Sequence, residues 1–305
     1  MTLSELEATQ EPAAAIPYEQ LGRPIRGPRA LSEDWSRFWH LTYRIAVMQW
    51  RTRFFGSVLG YFWQLVRPLM LFGVLYLFFT VVAHVGQGGG RADDYYGTQL
   101  LGSIVLFTFF QEATMNAVRG VVDNEPLVRK IQFPRLVIPL ANVLVSLFNL
   151  SLNLVVVLIF GLIQGVHPML SWLEFPLIIL LLTILATGLA MGLSAMFVYL
   201  RDLQPIWEVV LQVLFYASPV IVPLTEIEQK LGARHAGLIH VYMCNPIAVA
   251  LQQFRHAMVN HYAIGAIAAI GGGKLLAIPI GASVLIFVLG FLIFNRTAPG
   301  VAESI

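Results

Sequence analysis

The sequence predicts an all-α integral membrane protein: six transmembrane helices, an N-terminal amphipathic helix at the membrane interface, and short re-entrant outer helices before the last span. Three observations carry this. Hydrophobic residues make up 57% of the 305-residue chain and charged residues 12%, about half the charge of a soluble domain. The apolar residues gather into six stretches, each near the ~20 helical residues that cross a hydrocarbon core of ~30 Å. Lys and Arg are split unevenly between the connecting segments, which is the asymmetry that orients spans. The first observation excludes a soluble cytosolic enzyme, because the chain lacks the polar surface to cover itself. Disorder is excluded by 20 Phe, 10 Tyr and 6 Trp, too many for a chain that avoids a core. The single Cys244 rules out a disulfide framework and any Cys-based metal centre within one chain. A formal charge of +2 gives no reason to expect nucleic acid.

Taken in order, residues 1–31 read as a flexible cytoplasmic tail. Acidic residues come first, then the run Arg23 to Arg29, with no apolar core of the kind a signal peptide has. Residues 32–55 read as the interface helix. Ser32 caps it, and Glu33 and Asp34 occupy the first turn, where the helix dipole favours them. Trp35, Phe38, Trp39 and Ile45 or Ala46 fall near i, i+3, i+4 spacing, and Arg37, Arg44, Arg51 and Arg53 face anionic headgroups.

The expected spans run from about Pro68 to Val85, Thr98 to Val118, Val137 to Ile163, Phe175 to Tyr199, Pro205 to Val222 and Leu275 to Phe294. Each is read as a helix because lipid offers an open backbone no partner. A weaker apolar stretch, 247–270, is interrupted by Gln252, Gln253, Arg255, His256, Asn260 and His261. It reads as one or two short re-entrant or interfacial helices, within an outer region of about 223–270. Residues 297–305 form a second tail. With the N-terminus in the cytoplasm, only Arg91, Lys230, Arg234, Arg255 and Lys274 of the 19 Lys and Arg fall outside. Both termini are therefore expected in the cytoplasm.

No catalytic constellation emerges. Gly271-Gly272-Gly273-Lys274 lacks the Gly six residues before the Lys and the Ser/Thr after it that a phosphate loop needs, so it reads as a turn. His235, His240, His256 and His261 fall in two pairs spaced by five, not the i, i+4 spacing that sets two ligands on one helical face. No metal site is expected. Glu112, with Gln111, Thr114 and Asn116 nearby, is either a helix end at the interface or a polar group facing a path or a second subunit. Arg67 precedes Pro68, which suits the first turn of a helix, and its side chain is expected to snorkel to the headgroups.

The segment Asp123-Asn124-Glu125-Pro126-Leu127-Val128-Arg129-Lys130-Ile131-Gln132-Phe133-Pro134-Arg135 is the most informative. It is short and charged, and its apolar residues are spaced like an amphipathic helix. A connector needs no apolar face, whereas an element that docks into a partner's groove does. The Arg201–Asp202 pair sits in the second inner turn and either caps helix ends or touches a partner.

At these residues the sequence resembles a known family. Phe54 to Trp63 followed by Arg67-Pro68-Leu69, then Asn124 to Leu140, then Tyr199-Leu200-Arg201-Asp202 with Ala217 to Ile221, then Asn245-Pro246 with Phe254-Arg255, are similar to the permease subunits of ABC type-2 transporters. The closest branch exports lipid-linked polysaccharides: O-antigen, teichoic acid, capsule and galactan. The resemblance covers about 35–296 and implies an ABC type-2 transmembrane domain over 56–296, with a coupling helix at about 122–135. It implies a homodimer, two copies of a cytoplasmic ABC ATPase subunit that bind ATP and Mg, and residence in a bacterial cytoplasmic (inner) membrane. This chain would itself bind no cofactor and catalyse nothing. Carried across, the ATPase-coupling contacts fall on Asn124, Glu125, Leu127, Arg129, Lys130, Phe133, Pro134, Arg135, Arg201 and Asp202.

A long polysaccharide calls for a continuous channel with a polar or aromatic wall. Tyr95, Tyr96, Phe107, Glu112, Phe215 and Tyr216 are the pathway candidates, the tyrosines because their hydroxyls seek a wet place. Arg44, Arg51, Arg53 and Arg67 are the candidates for a lipid head group or for ordinary membrane lipids. Three alternatives stand beside this reading: an ABC type-2 exporter of a small molecule or lipid, a membrane glycosyltransferase, and a secondary transporter. The second would need catalytic charge clusters that are missing. The third usually shows internal repeats.

Overall fold

The computed structural model describes residues 35–54, 58–85, 95–124, 134–231, 236–259 and 263–297. Every regular element among them is helical. In chain order they are α1 (Trp35–Phe54), α2 (Val58–Leu77, continued by a π turn at Phe78–Val82), α3 (Tyr96–Asp123) and α4 (Val137–Ile163). There follow α5 (Phe175–Phe197, led in by a 3-10 turn at Leu170–Glu174), α6 (Leu203–Ala217), α7 (Leu224–Leu231) and α8 (Ala236–Tyr242). The last are α9 (Pro246–Val259), α10 (Ala266–Ala269) and α11 (Ala277–Thr297).

Four described segments are long and apolar enough to cross a membrane: Phe62–Val82, Val137–Ile163, Leu170–Phe197 and Ala277–Thr297. The other two expected spans fall short for different reasons. Helix α3 has 28 residues, ample length, but carries Gln99, Ser103, Gln111, Glu112, Thr114 and Asn116. It tolerates them because it is the central helix, packed against α2, α4, α5, α6 and α9. Helix α6 has 15 residues and reaches about 22 Å at 1.5 Å per residue.

Pro68 does not open the first span. The helix begins ten residues earlier at Val58 and carries Pro68 inside it. The apolar run that starts at Pro68 marks where the helix becomes hydrophobic, not where it starts.

The buried stripe of α1 also differs from expectation. Phe38, Thr42 and Ala46 are sealed against the bundle, whereas Trp35 and Trp39 face outward. Thr42 and Ala46 are small enough to let α1 lie close along α4, and Thr42 Oγ1 donates to the Phe38 carbonyl at 2.8 Å. The larger rings stay outward, the side that an interfacial helix turns to headgroups.

The tightest seam joins α5 and α11. Gly188 and Gly290 lie against each other's backbones, and a Cβ on Gly290 would sit 1.9 Å from the Gly188 carbonyl oxygen. Small residues let membrane helices approach this closely, and close packing holds them where lipid supplies no hydrophobic drive. Before α11 the chain turns through Gly271 (φ 90°) and Gly272 (φ 138°), backbone that side chains disfavour.

Helix α9 is more deeply seated than a surface helix. Phe254 stacks on Phe175 with ring centres 4.9 Å apart. Its interrupting polar residues point inward: Gln252 Nε2 donates to the Ile264 carbonyl at 2.7 Å, and Gln253 takes the Ala266 amide at 2.9 Å. They bind the chain's own backbone rather than water.

Candidate translocation path and motor-docking face

Two of the contacts between helices α3 and α6 fix how they run. Trp207 Nε1 donates to Thr114 Oγ1 at 3.1 Å, and Phe215 packs edge-on against Phe107 with ring centres 5.2 Å apart. Rising numbers on α6 meet falling numbers on α3, so the helices run antiparallel. At about 100° per residue, Glu208 and Gln212 then lie on the same side of the seam as Thr108 and Gln111. Glu208, Gln212 and Gln111 are exposed and Thr108 is half-buried. Tyr216 lies next along α6 and is 69% exposed. The opposite flank of exposed α6 surface is apolar, with Ile206, Val209 and Val213.

Among the described residues Glu208 has no partner. Facing lipid, a charge in mid-helix costs about 3 kcal/mol. That flank therefore needs water, a polar cargo or another subunit. The sequence held the signal, Gln204, Glu208 and Gln212 at four-residue spacing in an apolar run, and the aromatic search passed over it.

The six pathway candidates are placed unequally. Tyr216 projects freely and Phe215 is partly buried beneath it. Tyr95 is half-exposed. Phe107 is 2% exposed and belongs to the core. Tyr96 is equally buried, and its hydroxyl donates to the Ile221 carbonyl at 3.1 Å, so it finds a backbone oxygen instead of water.

Glu112 is half-buried at a junction of four helices. Its two carboxylate oxygens accept from Gln64 Nε2 on α2 (2.8 Å) and Asn149 Nδ2 on α4 (3.0 Å). Asn149 in turn accepts from Trp50 Nε1 on α1 at 3.1 Å. A chain of hydrogen bonds thus ties the interface helix to α2, α3 and α4.

At the bundle end that carries the Arg201–Asp202 turn, a polar cavity of about 360 Å³ opens between α1, α3, α4 and α6. Gln49, Arg53, Asn116, Arg119, Asn142 and Gln204 are among its lining residues. Gln49 Oε1 is buried there with no donor. Arg119 pairs loosely with Asp123 at 3.7 Å, and both are more than half exposed, so that pair contributes little. Of the four head-group candidates, the structure brings only Arg53 to this cavity. Arg44, Arg51 and Arg67 are exposed elsewhere.

The 124–135 segment is described only at its ends. Glu125, Leu127, Arg129, Lys130 and Phe133 lie outside the described residues. Asn124 Nδ2 donates to the Gly120 carbonyl at 2.7 Å and closes the end of α3. Pro134 is half-buried. Arg135 is 4% exposed, and burial lowers its guanidinium below the ordinary arginine range. Arg201 and Asp202 are both exposed, and Asp202 makes no cap bond to α6. The capping alternative for this pair therefore has no support in the geometry.

Among the described residues no group of three His, Cys, Asp or Glu is placed to hold a metal ion.

Comparison with known proteins gives a consistent picture. The family described as ABC-2 type transporter matches residues 37–259. An O-antigen export system permease protein of Klebsiella pneumoniae is 25% identical over 211 residues, covering 69% of this chain and 76% of the relative. Its namesake from Myxococcus xanthus is 27% identical over 211 residues, covering 69% of this chain and 77% of the relative.

Proposed function

The chain belongs to the ABC-2 type transporter family, and on that premise we propose that it is the permease half of an ATP-driven exporter of a lipid-linked polysaccharide. Two copies pair across the polar flank of α6, so that Glu208, Gln212 and Tyr216 with Gln111 of α3 line a path between them. The observation that carries this reading is that flank: a charged and amide-bearing stripe, exposed along an otherwise apolar helix. A wall of amides, carboxylates and a phenol suits sugar hydroxyls, which need partners along their whole length.

In this reading α3 and α6 complete six spans, both termini face the cytoplasm, and the membrane is the bacterial inner membrane. The 124–135 segment and the exposed Arg201–Asp202 turn dock onto a separate ATPase subunit, which binds ATP and Mg. The polar cavity, with Arg53 and Arg119 among its amides, receives the phosphorylated head of the lipid carrier. Its size falls in the range of a small-molecule pocket, enough for a head group and not for a polymer.

The test is ATP-dependent uptake of lipid-linked polysaccharide into inside-out vesicles that carry the permease and its ATPase partner. Uptake should vanish when the Walker lysine of the partner is replaced. Uptake of a small lipid or drug in place of the polysaccharide would assign the chain to another branch of the family. A permease that never co-purifies with an ATPase would overturn the reading.

A further inference from the structure

The chain leaves α6 through a buried, non-helical turn. Ser218, Val220 and Ile221 are all less than a tenth exposed. Non-helical backbone at such a place leaves carbonyls that need donors. Two of them are met from α9 and α3, and the Ser218 hydroxyl is held as well. Arg255 Nη2 on α9 donates to the Val220 carbonyl at 2.7 Å, and Tyr96 Oη on α3 donates to the Ile221 carbonyl at 3.1 Å. Asn245, just before α9, donates through Nδ2 to Ser218 Oγ at 3.3 Å. Two of the segments that carry the family resemblance, 217–221 and 245–255, thus meet in space.

Arg255 is the unusual member. It is 1% exposed, and its Nε donates to Ser103 Oγ on α3 at 3.1 Å, which in turn donates to the Gln99 carbonyl at 2.8 Å. Its Nη1 has no partner. The phenols of Tyr96 and Tyr242 lie near it, among the described residues no carboxylate pairs with it, and burial draws its guanidinium down to about 10. A buried cation without a counter-ion is costly, and an apolar side chain of similar volume would fill the space at lower cost. Packing alone does not account for a guanidinium here. A neutral carbonyl is, however, an acceptor that a guanidinium can hold and release without separating opposite charges.

We propose that Arg255, with Tyr96 and Asn245, is a latch that positions the far end of α6 and keeps the outer mouth of the path closed at rest. The proposal rests on the reading of α6 as the wall of the path. Release of the Val220 carbonyl frees the turn, and with it the polar flank ending at Tyr216. The spare Nη1 donor is available to a carbonyl of the displaced turn, which gives the element a second arrangement in which the charge is still solvated.

The test uses the complete transporter, permease with its ATPase partner, in proteoliposomes without ATP. Spin labels at the exposed positions Ala217 and Leu238 report the distance from the end of α6 to α8, and efflux of trapped sucrose reports the mouth. The parent should give one narrow distance distribution and slow efflux. Arg255→Met should broaden the distribution and raise efflux roughly tenfold. Arg255→Lys, which keeps the charge and can still donate to the turn, should recover most of both, and Tyr96→Phe should give a smaller change of the same sign. A narrow distribution with parental efflux in Arg255→Met overturns the latch. If that variant does not fold, the pair Arg255→Lys and Tyr96→Phe decides, and parental values in both overturn it equally. The distance needs no substrate, so a broadened distribution in a transporter that ignores polysaccharide would keep the latch and discard the cargo.

Discussion

Two helix seams in this molecule are built on opposite terms. Between α5 and α11 the contact is backbone against backbone, with Gly290 over the Gly188 carbonyl and no room for a methyl group. Between α3 and α6 the contact is made by side chains, among them a ring on a ring, one indole on a hydroxyl and Val118 beside Leu203, and beside it runs an open strip of polar side chains. The first arrangement cannot slide without losing its packing. The second rests on side chains, which can turn about their own bonds. The difference separates a scaffold pair from a working pair, and it can be challenged by substitution on each side.

The largest effect is expected at the closed seam. Gly290→Leu must push α11 away from α5, an overpacking that costs about 3 kcal/mol or more, and little folded protein should survive. Loss of the monodisperse peak on size exclusion in detergent checks this. A well-folded variant would mean that the seam is looser than its geometry implies.

Next is the junction that braces both halves. Glu112→Leu strips the acceptor from Gln64 and Asn149 and leaves two amide donors unmet, at about 1–3 kcal/mol each. The melting temperature should fall clearly, and Glu112→Gln, which keeps one acceptor, should fall less. Equal melting points for the two would remove the network from the account.

At the open seam stability and transport should separate. The double substitution Glu208→Leu and Gln212→Leu should leave the melting temperature unchanged or raised, because it removes exposed polar groups from an apolar helix, while ATP-driven export drops at least tenfold. Trp207→Phe loses the bond to Thr114, for about 1 kcal/mol, together with part of the indole's packing. Export that is indifferent to the double substitution would place the path elsewhere.

The smallest change belongs to the turn before α6. Asp202→Ala should move stability by less than about 0.5 kcal/mol, since the side chain is exposed and caps nothing. A pull-down of the ATPase partner should nonetheless weaken.

What the sequence made legible follows the same division. Helix α4 begins and ends at Val137 and Ile163 as its apolar run predicts, because lipid and core make the same demand on it. Helix α3 was readable as a long helix from its apolar sequence, but not as the central helix. Its polar residues are satisfied by neighbours far along the chain, such as Asn149 for Glu112. Arg255 misled for the same reason. A charge in a weakly apolar stretch reads as part of an interfacial helix, and only the fold reveals the carbonyl, 35 residues away in sequence, that accepts from it. On α1 the expected stripe held Phe38 and Ala46, which are buried, but not Thr42, whose value is its small size.

The brevity of α6 has a consequence for how the protein is made. A 15-residue segment with Glu208 in its middle is a poor signal to the insertion machinery, which scores length and apolarity one helix at a time. It is expected to wait in a protected place until a neighbour receives it, and the indole of Trp207 offers α3 the first handhold. Biogenesis would then depend on α3 being already in the bilayer, so damage to the Thr114 region would surface first as a misassembled newborn chain, before any failure of transport is seen.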